Sequence, residues 1–137
     1  MINRFLTFFF LILIVFTITP NKANSTTTDL PDCVVITHCV REDFKVNDLG
    51  NAFRKATKIV SETKRTKIVE KTDSFIHAEA KTKWRRYTDD LLVKAIPEKG
   101  IIQVRSESRV GVGDNGVNQK RVDDFAYRLM TEPDISS

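Results

Sequence analysis

Between residues 66 and 110 the chain runs through four short segments of alternating apolar and polar side chains. Turn signals separate them, which favours successive antiparallel hairpins. Thr66 to Thr72 alternates around Ile68 and Val69, and Asp73-Ser74 marks a turn. Phe75 to Lys81 places Ile76, Ala78 and Ala80 on one side and Phe75, His77 and Glu79 on the other. Trp84 to Tyr87 leads through Asp89-Asp90 into Leu91 to Ile96, and Pro97-Glu98-Lys99-Gly100 is a tight-turn sequence. Ile101 to Val110 is the clearest strand and splits by parity. Ile102, Val104, Ser106, Ser108 and Val110 share one face, and Gln103, Arg105, Glu107 and Arg109 share the other.

Helical patterns flank this run. Asn47 or Asp48 is placed to cap a helix, after which Leu49, Ala52, Phe53, Ala56, Ile59 and Val60 recur at helical spacing. Arg54, Lys55, Lys58 and Glu62 then form a solvated opposite side. Val117 to Met130 makes the last helix, with Val122, Phe125, Ala126 and Leu129 as its stripe. The expected fold is α+β, a four-stranded antiparallel sheet with two helices on one face, in the order α-β-β-β-β-α. Residues 47–130 form the single domain. Residues 26–46 are read as an extended arm carrying Cys33 and Cys39, whose Val34-Val35-Ile36 packs onto the core. Residues 131–137 are read as a loose tail.

The 41% hydrophobic share is unevenly spread, since five of the nine Phe lie in the first sixteen residues. Phe5 to Ile18 is an apolar run of fourteen residues behind Arg4. It is too short to span about 30 Å of hydrocarbon comfortably at ~1.5 Å per residue. It fits the core of a secretory signal peptide over residues 1–25, cut after Ser25 or Ala23. The alternative is an uncleaved leader, which would be the chain's only membrane contact. A lipid anchor at Cys33 would need small residues where Leu30-Pro31-Asp32 stand, and the leader lacks the amphipathic character of a transit peptide. Export to the periplasm or another extracytoplasmic space follows. There Cys33 and Cys39 favour a disulfide. A metal site of Cys33, His38, Cys39 and His77 is the sharper alternative, but its spacing matches no recognised ligand pattern. Asn24-Ser25-Thr26 is a glycosylation sequon that matters only in a eukaryotic secretory pathway. Arg4 and Lys22 are the only charged residues among the first 25, so beyond the leader 20 basic residues face 18 acidic. No strong positive field remains, and nucleic acid is not an expected partner.

The polar residues that need explaining cluster near the C-terminal end. Arg105 and Arg109 lie about 13 Å apart along one strand with Glu107 between them. Two guanidiniums can grip a carboxylate or phosphate in planar forks. His77 and Glu79 share a parity on another strand, while Asp114, Asn118 and Arg121 gather around the adjoining loop and helix start. These seven, Arg105, Arg109, Asp114, Asn118, Arg121, His77 and Glu79, are the candidate ligand-binding residues. Asp89 and Asp90, with Ser106 and Ser108, are read as a structural network that could instead absorb the arginines. Gly111-Val112-Gly113-Asp114-Asn115-Gly116 has the literal G-x-G-x-x-G spacing, yet no second parallel strand follows it, so a dinucleotide fold is not the expected one. Its amides at a helix start could still hold an anion. Ser106 and Ser108 lack a nucleophile elbow, and no catalytic residue, metal or cofactor is assigned. The leading expectation is a binding module for an anionic small molecule, lipid headgroup or peptide carboxylate. A structural or assembly protein of the envelope is the alternative, and a hydrolase using His77/Glu79 or Asp89/Asp90 is the second.

The run Arg105-Ser106-Glu107-Ser108-Arg109-Val110-Gly111, followed by Asp114, Gly116-Val117-Asn118 and Lys120-Arg121, resembles the signature of the "domain of unknown function 1499" family. Phe75-Ile76-His77-Ala78-Glu79, Asp89-Asp90 and the C-x5-C of Cys33 and Cys39 support the resemblance, which covers about residues 33–130. That family usually carries Ser-Pro-Asn between the cysteines, where this chain has Val34-Val35-Ile36-Thr37-His38. Gln119 stands where a basic residue is usual, and Val112-Gly113 replaces a more aromatic step. The resemblance implies the domain and leaves the activity open.

Overall fold

The structure, a computed structural model, describes residues 29–135. The expected signal peptide, its cleavage site and the sequon at Asn24 lie outside the described residues. The elements are β1 (Cys39–Lys45), α1 (Leu49–Glu62), β2 (Thr66–Lys71), β3 (Phe75–Lys81), β4 (Thr88–Ile96), β5 (Ile101–Ser108) and α2 (Val117–Thr131). All strand pairs are antiparallel, and the sheet order is β1-β5-β4-β3-β2. The α+β architecture stands, but the sheet has five strands rather than four.

The extra strand lies inside the stretch read as an extended arm. Val40, Glu42 and Phe44 of β1 face Ser106, Val104 and Ile102 of β5. Only two of those three are apolar, so the alternation is too sparse to see by eye. The strand is recruited because β5 would otherwise leave its N–H and C=O groups unpaired along a buried edge.

Both helices pack on one face, as the parity requires. Ile76 and Ala78 of β3, Leu91, Val93 and Ala95 of β4, and Ile102 and Val104 of β5 meet Ala56, Ile59, Val60, Val122, Phe125 and Leu129. Asp48 caps α1 by accepting from Asn51 N–H at 2.8 Å. Lys55 is not on a solvated side. It is buried, and its Nζ donates to the carbonyls of Leu129 and Glu132 at the end of α2 and pairs with Asp134 at 3.1 Å. A cation there satisfies carbonyls that the helix leaves open. Asn51 exchanges hydrogen bonds with Ile135, so residues 132–135 are fastened to α1 rather than loose.

The open face is partly covered by residues 29–33. Asp29 pairs with Lys99, Leu30 N–H donates to Gln103 Oε1, and Arg41 donates to Leu30 C=O and Asp32. The Cys33–Cys39 disulfide closes this path, with Cα atoms 5.5 Å apart. It turns the loop outward beyond the sheet end. Val34 and Ile36 are therefore exposed rather than packed on the core. At the far edge, β2 carries a bulge between Ile68 and Glu70.

Reduction of Cys33–Cys39 is expected to lower the unfolding free energy by about 2 kcal/mol, because the bridge closes a short loop in the unfolded chain. Urea unfolding with and without reductant checks this through the midpoint.

Candidate functional site

The helix-facing side of β5 ends in serines where the core pattern would continue with apolar residues. Asn118, in the first turn of α2 and fully buried, accounts for them. Its Oδ1 accepts from Ser106 Oγ at 2.6 Å and from Arg121 Nη1 at 2.5 Å. Its Nδ2 donates to Ser108 Oγ at 2.9 Å and to the carbonyl of His38 at 3.0 Å. Arg121 continues the cluster, donating from Nη1 to Ser106 Oγ and from Nη2 to Asp89 Oδ2 at 2.7 Å. Asp89 is fully buried, and its Oδ1 has no hydrogen-bond partner among the described residues. One amide thus ties β5, α2 and the residue before β1, and the guanidinium beside it reaches β4.

The glycine loop is organised around its own carboxylate. Asp114 Oδ1 accepts from Gly116 N–H and Oδ2 from Asn118 N–H, at 2.9 and 2.8 Å. Burial pushes the Asp114 carboxyl up, but the amides of Asn118 and Gly116 outweigh this and hold it below the usual carboxylate range. Gly116 has φ 77°, which a side chain would strain. The amides read as an anion cradle are therefore occupied from within.

Replacing Asn118 with Ala removes four hydrogen bonds and strands buried partners. The expected loss of stability is about 3 kcal/mol, read by urea or thermal unfolding.

On the opposite face, Arg109 clamps Asp90 with two bonds, Nε to Oδ2 at 2.9 Å and Nη2 to Oδ1 at 2.7 Å, and Nη2 also reaches Glu79 at 2.8 Å. His77 Nε2 lies 2.6 Å from Asp90 Oδ1. Arg105 is buried and pairs with Glu107 at 2.8 Å, while its Nε has no hydrogen-bond partner among the described residues. Arg105 and Arg109 therefore do not converge on one vacant point. The His77–Asp90 pair has the form of an acid–base dyad, but the hydroxyls of Ser106 and Ser108 lie on the other face, bonded to Asn118.

The Arg109 guanidinium, despite some opposing burial, holds the Asp90 carboxyl below its ordinary value, with His77 helping. A carboxylate depressed in the folded state stabilises it above the unfolded pKa of about 3.9 and loses that contribution as pH falls through the folded value. Arg109→Gln is expected to flatten the fall of stability with acidification below about pH 4. Urea midpoints across acidic pH check the slope.

A groove lies between the end of α1, α2 and the β2-β3-β4 part of the helix-facing side. It has a volume of about 210 Å³. Ile59, Ala80, Leu91 and Phe125 contribute its apolar lining. Lys64, Arg65, Lys81, Lys120, Arg121 and Arg128 line it as well, against one acid, Asp124. Lys120 pairs with Asp124, and Arg128 with Glu62 and Glu132. Lys64 and Lys81 make no ion pair among the described residues. Of the seven expected ligand residues, Arg121 alone borders this groove. Sequence reading missed Lys64, Arg65, Lys81 and Lys120. They come from a connection, a strand end and a helix start, and only the sheet order brings them together.

Two comparisons with known proteins bear on identity. A family model described as a protein of unknown function (DUF1499) matches residues 17–129, which include the helix-facing polar cluster and the groove. The chain belongs to the DUF1499 family. No curated protein matches the sequence. In this DUF1499 chain, the signature residues Ser106, Ser108, Asp114, Asn118 and Arg121 bond one another or backbone close by. Among the described residues, no helix is long and apolar enough to cross a membrane.

Proposed function

We propose that this chain is an exported binding domain, directed by a leader over residues 1–25 to the periplasm or another extracytoplasmic space, and that it holds a small anion with an apolar portion. The disulfide supports the compartment, because such bonds persist in oxidising surroundings. The groove carries the ligand reading. It pairs an apolar lining with Lys64 and Lys81, whose ammonium groups no carboxylate of the described residues engages. Pockets for drug-sized ligands run to about 300–1,000 Å³, so about 210 Å³ suits a headgroup or a short carboxylate better than a whole lipid. Arg121 then has two roles, in the buried cluster and at the groove. Arg105, Arg109, His77 and Glu79 serve the open face as an ion-paired ladder. The His77–Asp90 pair is bound up with Arg109, while Ser106 and Ser108 bond Asn118 on the other face.

The test is a titration of the isotope-labelled protein with octyl phosphate, beside inorganic phosphate as the head alone. Saturable amide shifts are expected around residues 63–66 and 117–121, weakening with added salt. Lys64→Ala and Lys81→Ala should each lower affinity about two- to fivefold. Absence of saturable shifts, or shifts indifferent to both substitutions, overturns the reading.

A further inference from the structure

The strand register brings three loops to one end of the sheet. Cys39 faces Glu107, Ser108 faces Asp89, and Thr88 faces Lys81. Residues 33–38, 82–87 and 109–116 therefore emerge side by side, across a width of about 14 Å for three strand spacings. The first and last of these loops touch, since Thr37 Oγ1 donates to the carbonyl of Val112 and Asp114 N–H donates to the carbonyl of Thr37. The hairpin loop is closed by Thr82 and Tyr87, and Arg109 N–H reaches the carbonyl of Thr88.

The tips of these loops are apolar. Val112 is 90% exposed, Val34 89%, Trp84 85% and Ile36 81%. Such values describe side chains standing clear of the surface rather than lining a groove. Tyr87 and Val110 are exposed close by. Charge of one sign is concentrated in the hairpin loop that carries Trp84. The run Lys81-Thr82-Lys83-Trp84-Arg85-Arg86-Tyr87-Thr88 holds four cations and no acid. Lys83 Nζ sits 5.0 Å from the Trp84 ring centroid. Acids near this end have partners within the domain: Glu107 pairs with Arg105, Asp114 accepts from backbone amides, and the exposed Asp32 pairs with Arg41.

We propose that this end of the sheet docks on an anionic lipid bilayer, with Trp84, Val34, Ile36 and Val112 entering the headgroup region and Lys83, Arg85 and Arg86 contacting lipid phosphates. The combination decides the partner. Convex apolar tips require no matching shape in a fluid interface, whereas a folded protein would have to supply a pocket for each. Aromatic rings with a polar handle favour the headgroup level, and clustered Lys and Arg are drawn to anionic leaflets. Membrane contact then involves the folded domain itself, whereas the sequence reading allows it only through an uncleaved leader. The proposal does not depend on the groove.

Trp84 is the only tryptophan of the chain, so its emission reports on this loop whatever the leader does. The full chain is mixed with vesicles of phosphatidylcholine alone or of phosphatidylcholine and phosphatidylglycerol in equal parts. With the anionic vesicles, a blue shift, protection from aqueous acrylamide and quenching by lipids brominated on their acyl chains are expected. Lys83→Gln, Arg85→Gln and Arg86→Gln combined should weaken this response on the order of a hundredfold. Unchanged Trp84 emission with anionic vesicles overturns the proposal and leaves a protein partner for these tips. An equal response to neutral vesicles overturns it too, by removing the role of charge. Octyl phosphate binding reads the groove independently, so either reading can fail alone.

Discussion

One primary amide holds this domain together at the point where its chain is least regular. Asn118 is buried with both donor and acceptor functions in use, and its partners belong to separate stretches: the residue before β1, β5 and α2. A buried amide without those partners would cost far more than the bonds return. The glycine loop, the strand end and the helix start must therefore arrive in one mutual arrangement. Arg121 extends the constraint to β4 through Asp89. In this chain the run that resembles the family signature is joined within the fold: small hydroxyls stand where a carboxamide needs them, and an aspartate where the helix start presents amides.

Much of the fold was visible in the order of residue types. The bounds of β3 match the alternation from Phe75 to Lys81, and the two helices fall where their stripes predict. Periodicity works there because each element buries one complete face. It fails for β1, whose inward positions are Val40, Glu42 and Phe44, and whose pairing is decided by the need of β5 for a neighbour. Lys55 was hidden for a related reason. A lysine inside a helix reads as solvent-facing until another helix ends beside it with open carbonyls.

The candidate site was legible in its chemistry more than in its place. Arginines near the end of the chain stood out, but a sequence does not say which carboxylates will face them. Arg109 finds Asp90 and Glu79 across adjacent strands, and this consumes the fork that made it conspicuous. The lysines left without acids, Lys64 and Lys81, belong to no motif. They matter because the α1–β2 connection and the end of β3 carry them to the rim of a gap between helix and sheet.

One of the two outer strands of the sheet, β2, has a bearing on solution behaviour. At β2 the ladder is broken between Ile68 and Glu70, and Lys67, Glu70 and Lys71 stud the strand. A border that bends and carries both signs of charge is a poor template for a foreign strand. Copies of this chain crowded together are thereby discouraged from adding strands at the β2 border.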